Sequence, residues 1–299
     1  MRVLLTGANG QFGSEYCAHT KEHAPHDEIH VFSHADLDVT NREQVLQVVH
    51  AVKPDVILHA GAMTNVDGCE TDQLRALTVN AFGTRNIAEA AFRTDARVVY
   101  LSSDYVFDGR GGGSSGGNPY TEWDTPNPQT VYGRSKLGGE MELQALLGPA
   151  ATIVRTSWVC GAYGHNFVKT MFRLANDPSV PSPTVVDDQV GCPTFTADLV
   201  RAVRFLAVAH VPGLFHFSNT ESLSWCEFAK AIFAASGHDP ERVRPISSTE
   251  YQASRPTPTA PRPAYSVLDH FALRGVGYAP TSWREALHHA VAGLRLAGS

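Results

Sequence analysis

The first half of the chain alternates short, largely apolar runs with longer stretches in which apolar residues recur every three or four positions. Residues 2–6, 29–32, 55–59 and 97–101 form the apolar runs, the pattern of strands buried on both faces of a parallel sheet. The stretches between them predict a helix ending near His23, a second over residues 41–52 and a third over about 70–93, broken near Asn80. Another helix begins at Val131 after a proline-rich loop, and residues 151–155 give the next strand. Strands alternating with helices in this way predict an α/β fold of Rossmann type, built on a doubly wound parallel sheet. Ligands in such sheets bind beyond the C-terminal strand ends. The turns holding Gly7 to Gly13, Ala60 to Ala62 and Ser102 to Asp104 are therefore expected to share one crevice.

From about Gly161 the pattern loosens. Residues 166–175, 196–209 and 224–235 read as helices, with Ser224 as an N-cap, and residues 184–186 and 214–217 as extended. Ser282 is expected to cap a last helix, on which Trp283, Ala286, Leu287, Ala290, Val291 and Leu294 form a core stripe. Residues 254–263 carry four prolines and read as an extended loop. The glycine-rich residues 110–119 lack a preceding strand, a following helix and a partnered lysine, so they read as a flexible surface loop rather than a phosphate cradle. We expect a dinucleotide-binding domain over residues 1–160, with later segments such as 185–215 as candidates to rejoin it. Residues 161–299 would form mainly a smaller C-terminal α/β substrate domain. There are no internal repeats.

Composition removes several classes of function. With 299 residues, 43% of them hydrophobic, the chain can bury one large core or two unequal ones. Lys and Arg number 24 against 30 Asp and Glu, with no basic stripe, which argues against a nucleic-acid partner. No apolar run is long enough to span a bilayer and the sequence starts directly on a strand, so a cytoplasmic protein without a membrane partner is expected. Five scattered cysteines without a Cys-x-x-Cys read as reduced thiols. No metal is assigned: His288-His289 lacks an acidic cluster, and Glu15 reads as a solvated acid on the first helix. No unusual apolar stripe sets the oligomeric state, leaving monomer or homodimer.

Three stretches carry the chemistry. Gly7-Ala8-Asn9-Gly10-Gln11-Phe12-Gly13 follows the first strand directly, and its glycines let the backbone approach a pyrophosphate at a helix N-terminus. Ser103 follows the fourth strand. Tyr132 and Lys136 stand four residues apart on one helical face, where an ammonium can favour the ionised form of a phenol. Taken singly, each is an ordinary turn, a cap serine or a pair of solvated side chains. Their conjunction in this order, at one sheet edge, is far more specific.

In these stretches the chain resembles the dTDP-4-dehydrorhamnose reductase family of extended short-chain dehydrogenases/reductases. The resemblance runs nearly end to end. It rests on residues 5–13, 102–109 and 131–140, and also on 155–159, 166–171, 188–194 and Arg262-Pro263. It implies reduction of the C4 ketone of a dTDP-4-dehydro-6-deoxy sugar, most simply dTDP-4-dehydro-L-rhamnose. In the implied roles Tyr132 is the proton donor, Lys136 holds the nicotinamide ribose and lowers the tyrosine pKa, and Ser103 orients the carbonyl. The cofactor residues it implies are Gly7, Asn9, Gly10, Gln11, Phe12, Gly13, Asp38, Val39, Ala60, Gly61, Ala62 and Asn80. For the substrate they are Asp104, Tyr105, Trp158, Asn166 and Arg262, the last on the nucleotide diphosphate. Ser33 and His34 follow the second strand where an acid would favour NADH, so NADPH is expected, with NADH the alternative. Related readings are a nucleotide-sugar epimerase or dehydratase and a non-catalytic regulatory subunit of the methionine adenosyltransferase type. Asp104-Tyr105, where a dehydratase would carry Asp-Glu, argues against elimination.

Overall fold

The computed structural model describes residues 1–113, 116–256 and 259–297. Six parallel strands form the central sheet: β1 (Arg2–Thr6), β2 (Glu28–Phe32), β3 (Val56–His59), β4 (Arg97–Ser103), β5 (Thr152–Thr156) and β6 (Gly213–Phe217). The helices are α1 (Gln11–His23), α2 (Arg42–Val52), α3 (Val66–Thr71), α4 (Gln73–Leu77), α5 (Gly83–Thr94), α6 (Val131–Leu147), α7 (Phe167–Ala175), α8 (Thr196–Ala209), α9 (Trp225–Ala235), α10 (Ser248–Ala253), α11 (Phe271–Gly275) and α12 (Trp283–Ala297). Strand order is β6-β5-β4-β3-β1-β2. The chain thus leaves β1 toward β2 on one side and comes back on its other side at β3. Such a reversal opens a crevice beyond the C-terminal ends of the two strands.

Alternation along the strands builds a core on each face. Val3 and Leu5 of β1, Val56 and Leu58 of β3 and Val99 of β4 pack with Phe12 and Tyr16 of α1 and with Leu199 and Val203 of α8. Leu4, Ile57, Val98 and Tyr100 point the other way, onto Val45, Val49, Ile87 and Leu143 of α2, α5 and α6. A third core joins Val168 and Met171 of α7, Phe228 and Ile232 of α9, and Trp283, Leu287 and Val291 of α12. The stripe on the last helix is buried as expected. Ser224 closes a capping box, accepting from Glu227 N at 3.0 Å while its own N–H donates to the Glu227 carboxylate at 2.7 Å.

Two expectations change. The helix expected over about 70–93 is instead α3, α4 and α5 with a single π turn, Thr78–Phe82, between the last two. Asn80 sits in that turn, its side chain bonded to Met63 N and O and to Ser135 Oγ. The glycine-rich loop is pinned over its described residues. Tyr120 Oη accepts from Arg110 N and Gly111 N, both at 2.9 Å, and donates to Asp108 at 2.7 Å. Gly112 pairs with Asn118 across it, while Ser114 and Ser115 lie outside the described residues. Thr257 and Pro258 of the proline-rich loop also lie outside them.

Candidate active site

A cleft of about 850 Å³ opens at the strand reversal, and all three turns singled out in the sequence line it. Its floor is the glycine turn. Gly7 has φ 74°, and a Cβ there would stand 2.8 Å from the backbone of Ala60 and Gly61, so the turns after β1 and β3 are in contact. A Cβ on Gly13 would lie 2.4 Å from the Gly7 carbonyl oxygen, so only glycine lets α1 start against its own turn. Asn9, Gly10, Gln11 and Phe12 line the cleft at the α1 N-terminus, where backbone amides and the helix dipole favour an anion. Val39, Ala60, Gly61 and Ala62 line it as well.

The reactive groups stand at the other end. Thr130 caps α6, accepting from Gly133 N at 3.0 Å, which aims Tyr132 at the end of β4. Gly133 lets that helix approach closely, since a Cβ there would be 2.1 Å from the Tyr105 carbonyl oxygen. Ser103, buried at the last position of β4, lines the same end of the cleft as Tyr132. The Ser103 hydroxyl donates to Asp104 Oδ1 at 2.9 Å and accepts from Tyr105 N at 3.2 Å. Lys136 Nζ donates to Leu101 O at 2.7 Å and lies 4.1 Å above the Tyr100 ring. Burial drives Lys136 down to about 7.

The tyrosine differs from expectation. Burial raises the Tyr132 pKa well above the usual value; the Ser103 hydroxyl opposes that shift and the charge of Asp104 adds to it. The lowering expected from Lys136 is not what governs the phenol, because the ammonium is drawn down onto Leu101 and the Tyr100 ring. Asp104 is itself pushed up to about 6 by burial, and its Oδ2 has no partner.

Four expected residues do not line the cleft. The Asp38 carboxylate is turned away to Thr40 N and Oγ1, at 2.9 and 2.8 Å, and Leu37 and Val39 face the cleft instead. Asn80 is buried behind the wall, its amide consumed by Met63 and Ser135. Asn166 caps α7 and donates to Gln11 Oε1 at 3.1 Å, so it backs a lining residue. Arg262 forms a loop ion pair with Asp67 at 2.9 Å, close behind Tyr105. Ser33 and His34 do line the cleft, but an acid stands beside them after all. Asp36 accepts from both Ser33 N and Ser33 Oγ, at 2.9 and 2.6 Å.

The comparisons with known proteins agree with this geometry. The family model described as the RmlD substrate binding domain matches residues 1–296. The chain belongs to the RmlD family. Its relatives include the spore coat polysaccharide biosynthesis protein SpsK of Bacillus subtilis, 40% identical over 286 residues, covering 96% of this chain and 95% of that one. A dTDP-4-dehydrorhamnose reductase of Mycobacterium tuberculosis is 39% identical over 294 residues, covering 97% and 92%. Among solved structures, the dTDP-4-dehydrorhamnose reductase of Bacillus anthracis in complex with NADP superposes with a TM-score of 0.86 at 40% identity, covering 97% and 98%.

In this RmlD-family chain the end of the cleft beside Ser103 holds Tyr105, edge-on to Tyr132 with ring centroids 5.5 Å apart, and Trp158. Trp158 has φ 46°, unusual for a bulky residue, and stacks on Trp225 of α9 at 3.5 Å. A Cβ on Gly191 would strike its indole at 2.5 Å. Trp225 was missed in the sequence, where a lone tryptophan in a helix carries no signal, and Gly191 lies in the 188–194 stretch of the resemblance but was given no role there. Met63, Thr64, Val66 and Arg75 also line the cleft. Their position just past β3, at the strand reversal, was the available clue.

Proposed function

We propose that the protein reduces the C4 ketone of a dTDP-4-dehydro-6-deoxy sugar with NADPH, converting dTDP-4-dehydro-L-rhamnose to dTDP-L-rhamnose. The observation that carries this reading is the meeting of Ser103, Tyr132 and Lys136 at one end of a cleft whose other end is the glycine turn at the α1 N-terminus. The turn suits a dinucleotide, because the Cβ-free faces of Gly7 and Gly13 and the opening of α1 are where a pyrophosphate would lie. NADPH bound there supplies the hydride. Asn9, Gly10, Gln11 and Phe12 would hold the pyrophosphate side, Val39 the adenine side, Ala60 to Ala62 the wall between, and Lys136 the nicotinamide ribose.

Tyr132 gives its hydroxyl proton to the C4 oxygen, and a phenol held protonated by burial always has that proton to give at neutral pH. Ser103 donates to the same oxygen and orients it. Lys136, when protonated, adds positive charge on the side of the cleft where negative charge develops. Asp104, Tyr105 and Trp158 would border the sugar, with Asn166 steadying Gln11 behind them. Arg262 is assigned to the diphosphate, exchanging its pairing with Asp67 for phosphate oxygens. Among the described residues lining the cleft Asp104 is the only carboxylate, which favours reduction over elimination, a reaction needing its own acid and base. The convergence of all three reactive groups favours an enzyme over a non-catalytic binding subunit. We place it in the cytoplasm as a monomer or homodimer, where its five free thiols stay reduced.

Tyr132→Phe tests the assignment. Turnover is expected to vanish while NADPH binding stays nearly intact, and a variant that kept most of its rate would exclude Tyr132 as the acid.

A further inference from the structure

Behind the reactive pair lies a buried ion pair that the proposed chemistry does not use. Glu140 stands one helical turn beyond Lys136 on α6, and the two are 2% and 3% exposed. Arg155 of β5, also buried, forks onto it, with Nε to Oε1 at 2.9 Å and Nη2 to Oε2 at 2.6 Å. The Ser102 hydroxyl donates to Glu140 Oε1 at 2.5 Å. Ser102 immediately precedes Ser103. One carboxylate therefore joins the strand bearing Ser103, the helix bearing Tyr132 and Lys136, and the next strand of the sheet. Buried ion pairs are a weak source of stability, because well-packed apolar groups often serve as well. Stability alone does not account for this one.

Lys136 supplies the need. Its ammonium contacts a carbonyl oxygen and an aromatic face, neither of which carries a full negative charge. The ionisable groups packed around α6 leave it without another counter-ion. His59 of β3 is buried between Thr6 Oγ1 and Thr84 Oγ1, and burial keeps it neutral. Tyr100 of β4 and Tyr132 keep their protons because burial raises both. The charge of Asp104, in the turn after β4, acts on Tyr132. Glu70 of α3 accepts from Val131 N, and Arg85 of α5 pairs with Glu142 on the exposed side. Only the field of Glu140 works against the burial that strips Lys136 of its proton.

We propose that Glu140 is a positioning residue: it gives Lys136, one helical turn away, a buried counter-charge and fixes the α6 helix against the serine-bearing strand, with Arg155 and Ser102 locking its carboxylate. The inference deepens the proposed function, resting on it only where turnover is concerned.

The lysines are Lys21, Lys53, Lys136, Lys169 and Lys230, few enough for each side chain to be followed by NMR in protein labelled with ε-13C lysine. The signal that disappears in Lys136→Arg identifies Lys136. In Glu140→Gln its titration midpoint is expected to fall by about one pH unit or more, the effect of losing one nearby opposite charge, with the other four unmoved. Glu140→Gln with Arg155→Gln leaves no lone buried charge, so it retains the fold if the single variant does not, and a smaller fall is expected because the Arg155 cation is removed with the carboxylate. Glu140→Asp should restore most of the midpoint. A midpoint that stays in place in a folded variant, with only thermal stability reduced, would overturn the proposal. In the turnover profile the alkaline limb should move with the NMR midpoint. If the midpoint fell but even the unaltered protein oxidised no NADPH with a dTDP-4-keto sugar, the proposed function would fail and the role of Glu140 would stand.

Discussion

Replacing Gly133 by alanine probes the contact on which the reactive geometry depends. The added Cβ would lie 2.1 Å from the Tyr105 carbonyl oxygen and 2.9 Å from Pro128 Cβ, whereas ordinary contact begins at 3.4 Å. Backbone has to give way. The N-terminal turn of α6, which carries Tyr132, must move about 1 Å or more from the turn that follows Ser103, and a displacement of that size at reacting groups costs on the order of 100-fold in rate. Overpacking of this kind destabilises by about 1–3 kcal/mol, which a domain with a margin of about 5–15 kcal/mol survives. The glycine turn that would hold the pyrophosphate belongs to β1 and α1, away from the clash. Gly133→Ala should therefore remain folded and bind NADPH much like the unaltered protein while kcat falls roughly 100-fold. Steady-state NADPH oxidation, NADPH fluorescence titration and a thermal melt measure the three quantities. A folded variant with undiminished kcat would refute the idea that the Ser103–Tyr132 spacing governs turnover.

Two other outcomes follow from the same structure. The Asp36 carboxylate at Ser33 stands where a 2′-phosphate would approach, so Asp36→Asn should improve the preference for NADPH over NADH by about fivefold, from relief of roughly 1 kcal/mol of repulsion; unchanged relative kcat/KM values would place the adenosine elsewhere. Burial lowers His59 and His216 to about 3 and His270 to about 4. The unfolded chain then binds more protons than the folded one between about pH 4 and 6.5, so stability is full above the unfolded histidine range and is lost as the pH falls through it, with each histidine adding up to about 1.4 kcal/mol per pH unit. Asp104, raised to about 6, opposes this with one proton, its contribution weakening the fold as pH rises toward 6. Denaturant melts across this range should show a net gain in stability with pH that flattens in His216→Gln; a flat profile in the unaltered protein would contradict the burial of neutral imidazoles.

Much of the fold was legible because β1, β3 and β4 are apolar on both faces, and only a sheet covered on both sides asks for that. The three turns were legible because their glycines and hydroxyls follow those strands at once. Asn80 shows where pattern reading ends: the periodicity falters there, but only the partners Met63 and Ser135 explain a π turn. The Asp36–Ser33 pairing and the loop ion pair of Arg262 depend on side-chain direction, which spacing does not fix. The pairing of Glu140 with Arg155 was hidden for a related reason, although both residues lie in stretches that carry the resemblance. Nothing in the spacing of a charged residue inside an apolar strand and another on a glycine-rich helix says that the two meet.

The central claim is that the Tyr132 phenol protonates a sugar ketone as hydride reaches its carbon. Incubation of the protein with dTDP-4-dehydro-L-rhamnose and NADPH deuterated at the transferred position, followed by NMR of the product, tests it most directly. One deuterium bound to C4 of dTDP-L-rhamnose, absent with Tyr132→Phe, is the expected result. Unreacted ketone with all the deuterium still on the cofactor would contradict the account.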